Sequence, residues 1–200
     1  SYNQARDDLF EMQAFVPILP DYYEKIKNNE NFNKIFESLN LPKKKILFYP
    51  AQFWPHKNHI YIIKSFEKML EKKFDDFILI FSGHDKGNKK YIVDQINQRK
   101  LNKNIIIFEY LSLEQVISLY LNSTALVMTS LVGRTSLPLR EAFYFRLPVF
   151  YSGKILDENY ANFVNELDLE NFSHLYSYLS DKNNSLDPKK TSLAYDFYKK

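Results

Sequence analysis

The chain has no cysteine, only four glycines and one tryptophan in 200 residues, and no long apolar run. The missing thiols exclude a disulfide framework and thiolate metal sites, and they fit a reducing cytosol. No stretch approaches the roughly 18 apolar residues of a membrane-spanning helix, and Ser1-Tyr2-Asn3-Gln4-Ala5-Arg6 is not a signal peptide. Glycine is scarce where a nucleotide-binding fingerprint would need it. No Gly-x-Gly-x-x-Gly follows the first apolar run, which continues Tyr49-Pro50-Ala51-Gln52, and there is no Walker lysine motif. A dinucleotide oxidoreductase is therefore disfavoured. Net charge is only +3, with lysines interspersed among acids, which argues against nucleic acid as a partner.

What is present is aromatic and apolar: 16% aromatic and 45% hydrophobic residues, enough for one ordinary core and too little for two full domains. The chain opens without Met and in mid-pattern, which suggests a piece of a longer protein. Residues 1–41 read as a lead-in: a weak helical pattern over Asp7 to Phe15, an extended Val16-Pro17-Ile18-Leu19-Pro20, and a helical face at Phe32, Ile35, Phe36 and Leu39. From residue 42 short apolar runs alternate with amphipathic segments. Strands are expected at Lys45 to Tyr49, Phe77 to Phe81, Asn104 to Phe108, Ala125 to Met128 and Leu147 to Tyr151, with a sixth at Asn162 to Val164. Helices are expected at Ile60 to Leu70, at Lys89 to Lys100, after Ser112 with Gln115 at capping-box spacing, after Pro138, from an Asp168 cap to Leu179, and from Asp187-Pro188 onwards. This alternation specifies an α/β fold: a doubly wound parallel, Rossmann-like sheet of about six strands with helices on both faces. Ligands of such sheets bind at the carboxyl ends of the strands.

Four stretches fall at those ends. The most informative runs from Ser130 to Ser152. Its turn, Gly133-Arg134-Thr135-Ser136, feeds a helix with Pro138 in the first turn, and free N–H groups there favour an anion such as phosphate. Glu141 follows about one turn later among apolar neighbours. A carboxylate repels phosphate but accepts hydrogen bonds from a sugar or ribose joined to it. Lys57 stands between the first strand and its helix, placed to offset diphosphate charge; the alternative is a solvated loop lysine. Ser82 and Gly83 offer backbone N–H groups or make a simple turn with glycine at positive φ. Tyr110 and Leu111 stand where a base would lie, unless Tyr110 fills the core. Arg134 is either a diphosphate contact or an exposed loop arginine. His56 and His59 lack an evident third ligand, so no metal site is expected. Together the residues read as a nucleotide-sugar site.

Two stretches resemble the C-terminal, donor-binding half of group 1 (family 4-like) retaining glycosyltransferases, which have the GT-B fold. Tyr49 to His59 is similar to the family's loop ending in Lys-Gly or Lys-Asn, and Leu137 to Val149 to its Leu-Pro-x-x-Glu-Ala…Gly-x-Pro-Val block; the likeness covers roughly residues 40 to 180. The resemblance implies that Lys57 neutralises the donor diphosphate and Glu141 holds the ribose. It implies that Thr135, Ser136 and Leu137 bind phosphate or sugar through N–H groups, and that Tyr110 and Leu111 line the base. Lysine and helix dipole replace a metal, and no cofactor is implied beyond the nucleotide-sugar donor. Three departures stand out: Gln52 replaces an arginine five residues before Lys57, Gly133 replaces a glutamate eight residues before Glu141, and Arg146 replaces a glycine. Arg134 is expected to take over the missing charge.

The resemblance further implies residues 42–186 as the nucleotide-sugar domain and 187–200 as a crossing helix. A missing N-terminal domain would bind a glycan or lipid-linked acceptor, in a cytoplasmic enzyme held at the inner membrane face through that domain. Two rivals remain: a non-catalytic binding module of the same fold, and a nucleotide-sugar epimerase.

Overall fold

The computed structural model describes residues 18–29, 31–132, 137–152, 158–181 and 186–199. Six parallel strands form its sheet: β1 (Lys45–Pro50), β2 (Phe77–Ser82), β3 (Ile105–Phe108), β4 (Ala125–Met128), β5 (Val149–Ser152) and β6 (Asn165–Leu167), in the order β3-β2-β1-β4-β5-β6. The first, second, fourth and fifth are short apolar runs buried on both faces, the pattern that parallel sheets covered by helices impose.

Helices α1 (Ile18–Ile26) and α2 (Phe32–Ser38) precede the sheet, followed by α3 (His59–Glu71), α4 (Lys89–Gln98), α5 (Leu113–Asn122), α6 (Leu137–Tyr144), α7 (His174–Ser180) and α8 (Pro188–Tyr198). Helix α3 packs with α4 and α7, whereas α5 packs with α1 and α2, and α6 with α1 and α8. The chain therefore winds outward from β1 to β3, returns beside β1 as β4, and winds the other way. The reversal falls between β1 and β4, and in doubly wound sheets the ligand crevice lies outside the carboxyl ends of the strands at such a switch. Ser112 and Gln115 make both bonds of the expected capping box, at 2.9 and 3.3 Å. Among the described residues, no helix is long and apolar enough to cross a membrane.

Several boundaries differ from expectation. Ile18 to Pro20 are helical rather than extended, because Pro20 sits in the first turn of α1, where an N–H has no partner to lose. The segments before residue 18 lie outside the described residues. The sixth strand starts later, since residues 158–163 form a 3-10 turn and β6 takes Asn165–Leu167. Leu147 closes α6 instead of opening β5, donating its N–H to the Ala142 carbonyl at 2.9 Å. Asp168 caps no helix. Its carboxylate accepts from the Glu170 N–H at 2.9 Å in a local turn, and α7 begins after Ser173.

Candidate functional site at the switch in strand order

Lys57 owes its position to two strand ends. The hydroxyl of Tyr49, on the penultimate residue of β1, donates to the Lys57 carbonyl. Thr129, immediately after β4, places its Oγ1 3.2 Å from that carbonyl and 3.0 Å from the Asn58 carbonyl. Leu131 adds its N–H to the His56 carbonyl at 2.8 Å. A 3-10 turn, Pro55–Lys57, and a left-handed Asn58 (φ 53°) then deliver the chain into α3; asparagine tolerates that conformation better than most residues. The loop after β1 is thus sewn across the crevice to β4. The Lys57 side chain is half-buried, and burial lowers its ammonium pKa below the ordinary lysine value. A partly desolvated cation gains more from an incoming anion than a fully hydrated one.

Beneath this loop, the His59 ring is buried and lies between Tyr49 (centroids 4.9 Å apart) and Phe53 (4.7 Å), with Phe81 edge-on at 5.0 Å. Neither ring nitrogen makes a geometrically sound hydrogen bond, although the Ala51 carbonyl is near enough to favour the protonated ring slightly. Burial dominates and holds the imidazole pKa down at about 4. The ring thus packs as part of an aromatic stack beneath the loop.

Gly83 serves the same loop. A Cβ there would lie 2.4 Å from the Ala51 carbonyl oxygen, so only glycine lets β2's exit pass the β1 loop. Its φ is not positive; positive φ belongs to Gly87. The Gly83 N–H is donated to the Phe108 carbonyl at 3.1 Å, and the His84 carbonyl accepts from Phe53 at 3.0 Å. Ser82 ends β2, paired in register with Pro50 and Phe108. The N–H proposed for a ligand at Gly83 is already spent on the fold.

Across the crevice, Glu141 is buried (8% exposed) on α6, and Tyr120 of α5 donates its hydroxyl to Oε2 at 2.8 Å. Burial raises the carboxyl pKa above its ordinary value, and the Tyr120 bond pulls it back down. Leu137, half-buried, opens α6. Gly133, Arg134, Thr135 and Ser136 lie outside the described residues. Tyr110 is not a core aromatic: it is 76% exposed after β3, beside a Lys89–Glu109 ion pair, while Leu111 packs against the core. Trp54, Leu131 and Val132 are also exposed at the same edge, so the crevice has an apolar rim. Gln52 is exposed, and its Oε1 accepts from the Trp54 indole N–H at 3.0 Å.

Tyr49, Thr129 and Tyr120 were not singled out from sequence as site residues. Each is a polar tip on an apolar segment, and their partners lie 8, 72 and 21 residues away. A groove of about 940 Å³ lies elsewhere, at the edge where the strands begin, lined among others by Lys43, Lys44, Asp76 and Asn122. It contains none of the candidate residues.

Residues 31–155 match the family model for glycosyl transferases group 1. The chain belongs to that family. No curated protein matches it in sequence. Among solved structures, it resembles WaaG, a glycosyltransferase involved in lipopolysaccharide biosynthesis (TM-score 0.69, 14% identity, 86% of this chain and 47% of that one). It also resembles the C-terminal domain of the group 1 protein LpcC from Francisella tularensis (TM-score 0.69, 19% identity, 85% and 92%). A third likeness is to HepE from Anabaena in complex with UDP (TM-score 0.71, 12% identity, 86% and 48%). The chain spans about half the length of WaaG and HepE but matches nearly the whole LpcC C-terminal domain. The fold is therefore the C-terminal, Rossmann-like half of GT-B glycosyltransferases.

Proposed function

We propose that the chain is the donor-binding half of a retaining glycosyltransferase, with residues 42–186 forming the nucleotide-sugar domain. The observation that carries this reading is the convergence, at the switch in strand order, of a loop that pins Lys57 with a helix that buries Glu141. In this reading the donor diphosphate lies between Lys57 and the start of α6, and the ribose lies on Glu141. The bond from the sugar's anomeric carbon to the diphosphate oxygen breaks as an acceptor hydroxyl oxygen bonds to that carbon, and the hydroxyl's proton passes to the released diphosphate. Lys57 and the helix dipole take up the charge that develops on the leaving group without a resident metal ion. Arg134, Thr135, Ser136 and Leu137 complete the anion site, and exposed Tyr110 stacks on the base.

A uridine donor is favoured, since the related HepE fold has been observed with UDP, and with UDP-glucose. A glycan or lipid-linked acceptor would bind an N-terminal domain in the cytoplasm, at the inner membrane face. The role of WaaG in lipopolysaccharide biosynthesis supports that acceptor class.

One observation favours a second reading, a binding module without turnover. Gln52 stands where the family places arginine, and its carboxamide is engaged with Trp54.

Calorimetric titration with UDP, GDP and ADP, with EDTA present, tests the proposal. One nucleoside diphosphate is expected to bind. Lys57→Ala should weaken it far more than the matching nucleoside, and Glu141→Ala should weaken both. Equal losses from Lys57→Ala would remove Lys57 from the diphosphate site. Release of nucleoside diphosphate from donor by the full-length protein separates transferase from module, and interconversion of two nucleotide sugars would identify an epimerase.

A further inference from the structure

We infer that Tyr120 is a positioning residue for the donor site, holding Oε2 of Glu141 so that Oε1 alone faces the ribose hydroxyls. This rests on the donor-site reading above. Tyr120 is buried on α5, and its ring is fixed on two sides: Phe145 stacks on it at 5.4 Å and 21°, and Phe48 of β1 meets it edge-on at 5.4 Å and 82°. The ring therefore has no freedom to follow a wandering carboxylate.

A phenol has one proton to donate. Its acceptors here are Glu141 Oε2 at 2.8 Å and the Pro138 carbonyl at 3.5 Å, both on α6 within one turn of each other. The shorter bond, to the better acceptor, claims the proton. Burial, and then the neighbouring Glu141 charge, push the ionisation of Tyr120 far above the ordinary tyrosine value, so the phenol remains a donor. Glu141 is then a carboxylate with one oxygen committed and its rotamer restricted. A ligand arriving at the other oxygen meets an acceptor whose ordering cost has been met beforehand. Phe145, one residue beyond α6, ties the same tyrosine to the far end of the helix. A shift of α5 would therefore move the carboxylate with it.

The test is a double-mutant cycle read by calorimetry with UDP, GDP and ADP on the unaltered chain, Tyr120→Phe, Glu141→Ala and the double variant. Phenylalanine keeps both ring contacts, and a melting curve on each variant verifies folding. Tyr120→Phe should weaken the bound nucleotide roughly tenfold, and in the Glu141→Ala background, where no acceptor is left at position 141, it should cause no further loss, because its effect acts through that carboxylate. Unchanged affinity in Tyr120→Phe overturns the inference, as does an equal loss in both backgrounds, which is what a purely structural role produces. Failure of the unaltered chain to bind any of the three overturns the donor-site reading itself.

Discussion

At the scale of single residues, His59 links the site's floor to pH. Its imidazole is neutral in the stack of Tyr49 and Phe53, with a pKa of about 4 against 6.5 for the free side chain. Below pH 6.5 the unfolded chain binds a proton that the native stack refuses, so stability is complete above 6.5 and falls as pH drops towards 4. The full loss is on the order of 3 kcal/mol, at 1.36 kcal/mol per unit. Urea unfolding between pH 7 and 4 should show that decline, and His59→Phe, which keeps an aromatic ring in the stack, should reduce it. An identical acid slope in both proteins would show that His59 is not the group responsible. From the sequence, His59 was read as one of two neighbouring histidines without a third metal ligand. That left its role open, because a sandwich of rings drawn from β1, the loop and α3 is invisible until those elements meet. The placement of Lys57 and Glu141 in segments that follow β1 and β4 was legible, because topology alone brings the carboxyl ends of those neighbouring strands together. Tyr110 shows the limit of that logic: position named its edge of the sheet, but only the structure decided between core and surface.

Among elements, the tight crossing of the β2 exit and the β1 loop depends on one missing methyl group. Gly83→Ala places a Cβ against backbone atoms of Ala51 and Gln52, which cannot give way as a flexible side chain would. The expected cost is about 1–3 kcal/mol, the range for overpacking, measured as a lower melting temperature. A variant as stable as the parent would mean the two segments are not packed as described.

The turn after α6 presents the opposite case. Arg146 has φ 54°, a left-handed conformation where the family has glycine, and its guanidinium lies 4.2 Å from the centre of the Tyr195 ring on α8. The conformation costs about 1–2 kcal/mol for a residue with a Cβ, and the cation–π contact returns about 0.5–2 kcal/mol. Arg146→Gly should therefore leave stability within about 1 kcal/mol, whereas Arg146→Ala keeps the strain, loses the contact and should be the less stable of the two. Thermal unfolding of the pair checks this, and Ala equal to or above Gly would remove the account. The elements themselves were readable in sequence, because buried parallel strands are unbroken apolar runs. Their ends were less so. The competition between helix closure at Leu147 and strand entry, or between a turn at Asp168 and a helix cap, is decided by short-range hydrogen bonds, Leu147 to Ala142 and Glu170 to Asp168, that residue spacing alone leaves open.

For the whole molecule, the sequence of strands and helices creates one crevice where the winding reverses. The aromatic residues, Lys57 and Glu141 acquire their meaning from that reversal. Glycine poverty excluded the usual dinucleotide fingerprint, and the fold serves a nucleotide ligand in this account through a lysine loop and a helix start. The four residues from Gly133 to Ser136 are the part of the site that the sequence proposes and the described structure does not reach. A crystal structure of the chain with UDP tests the central claim most directly. The account predicts the diphosphate between Lys57 and the start of α6, with the ribose hydroxyls on Glu141 and the base against Tyr110. UDP bound elsewhere, for instance in the groove beside Lys43 and Lys44, would contradict it.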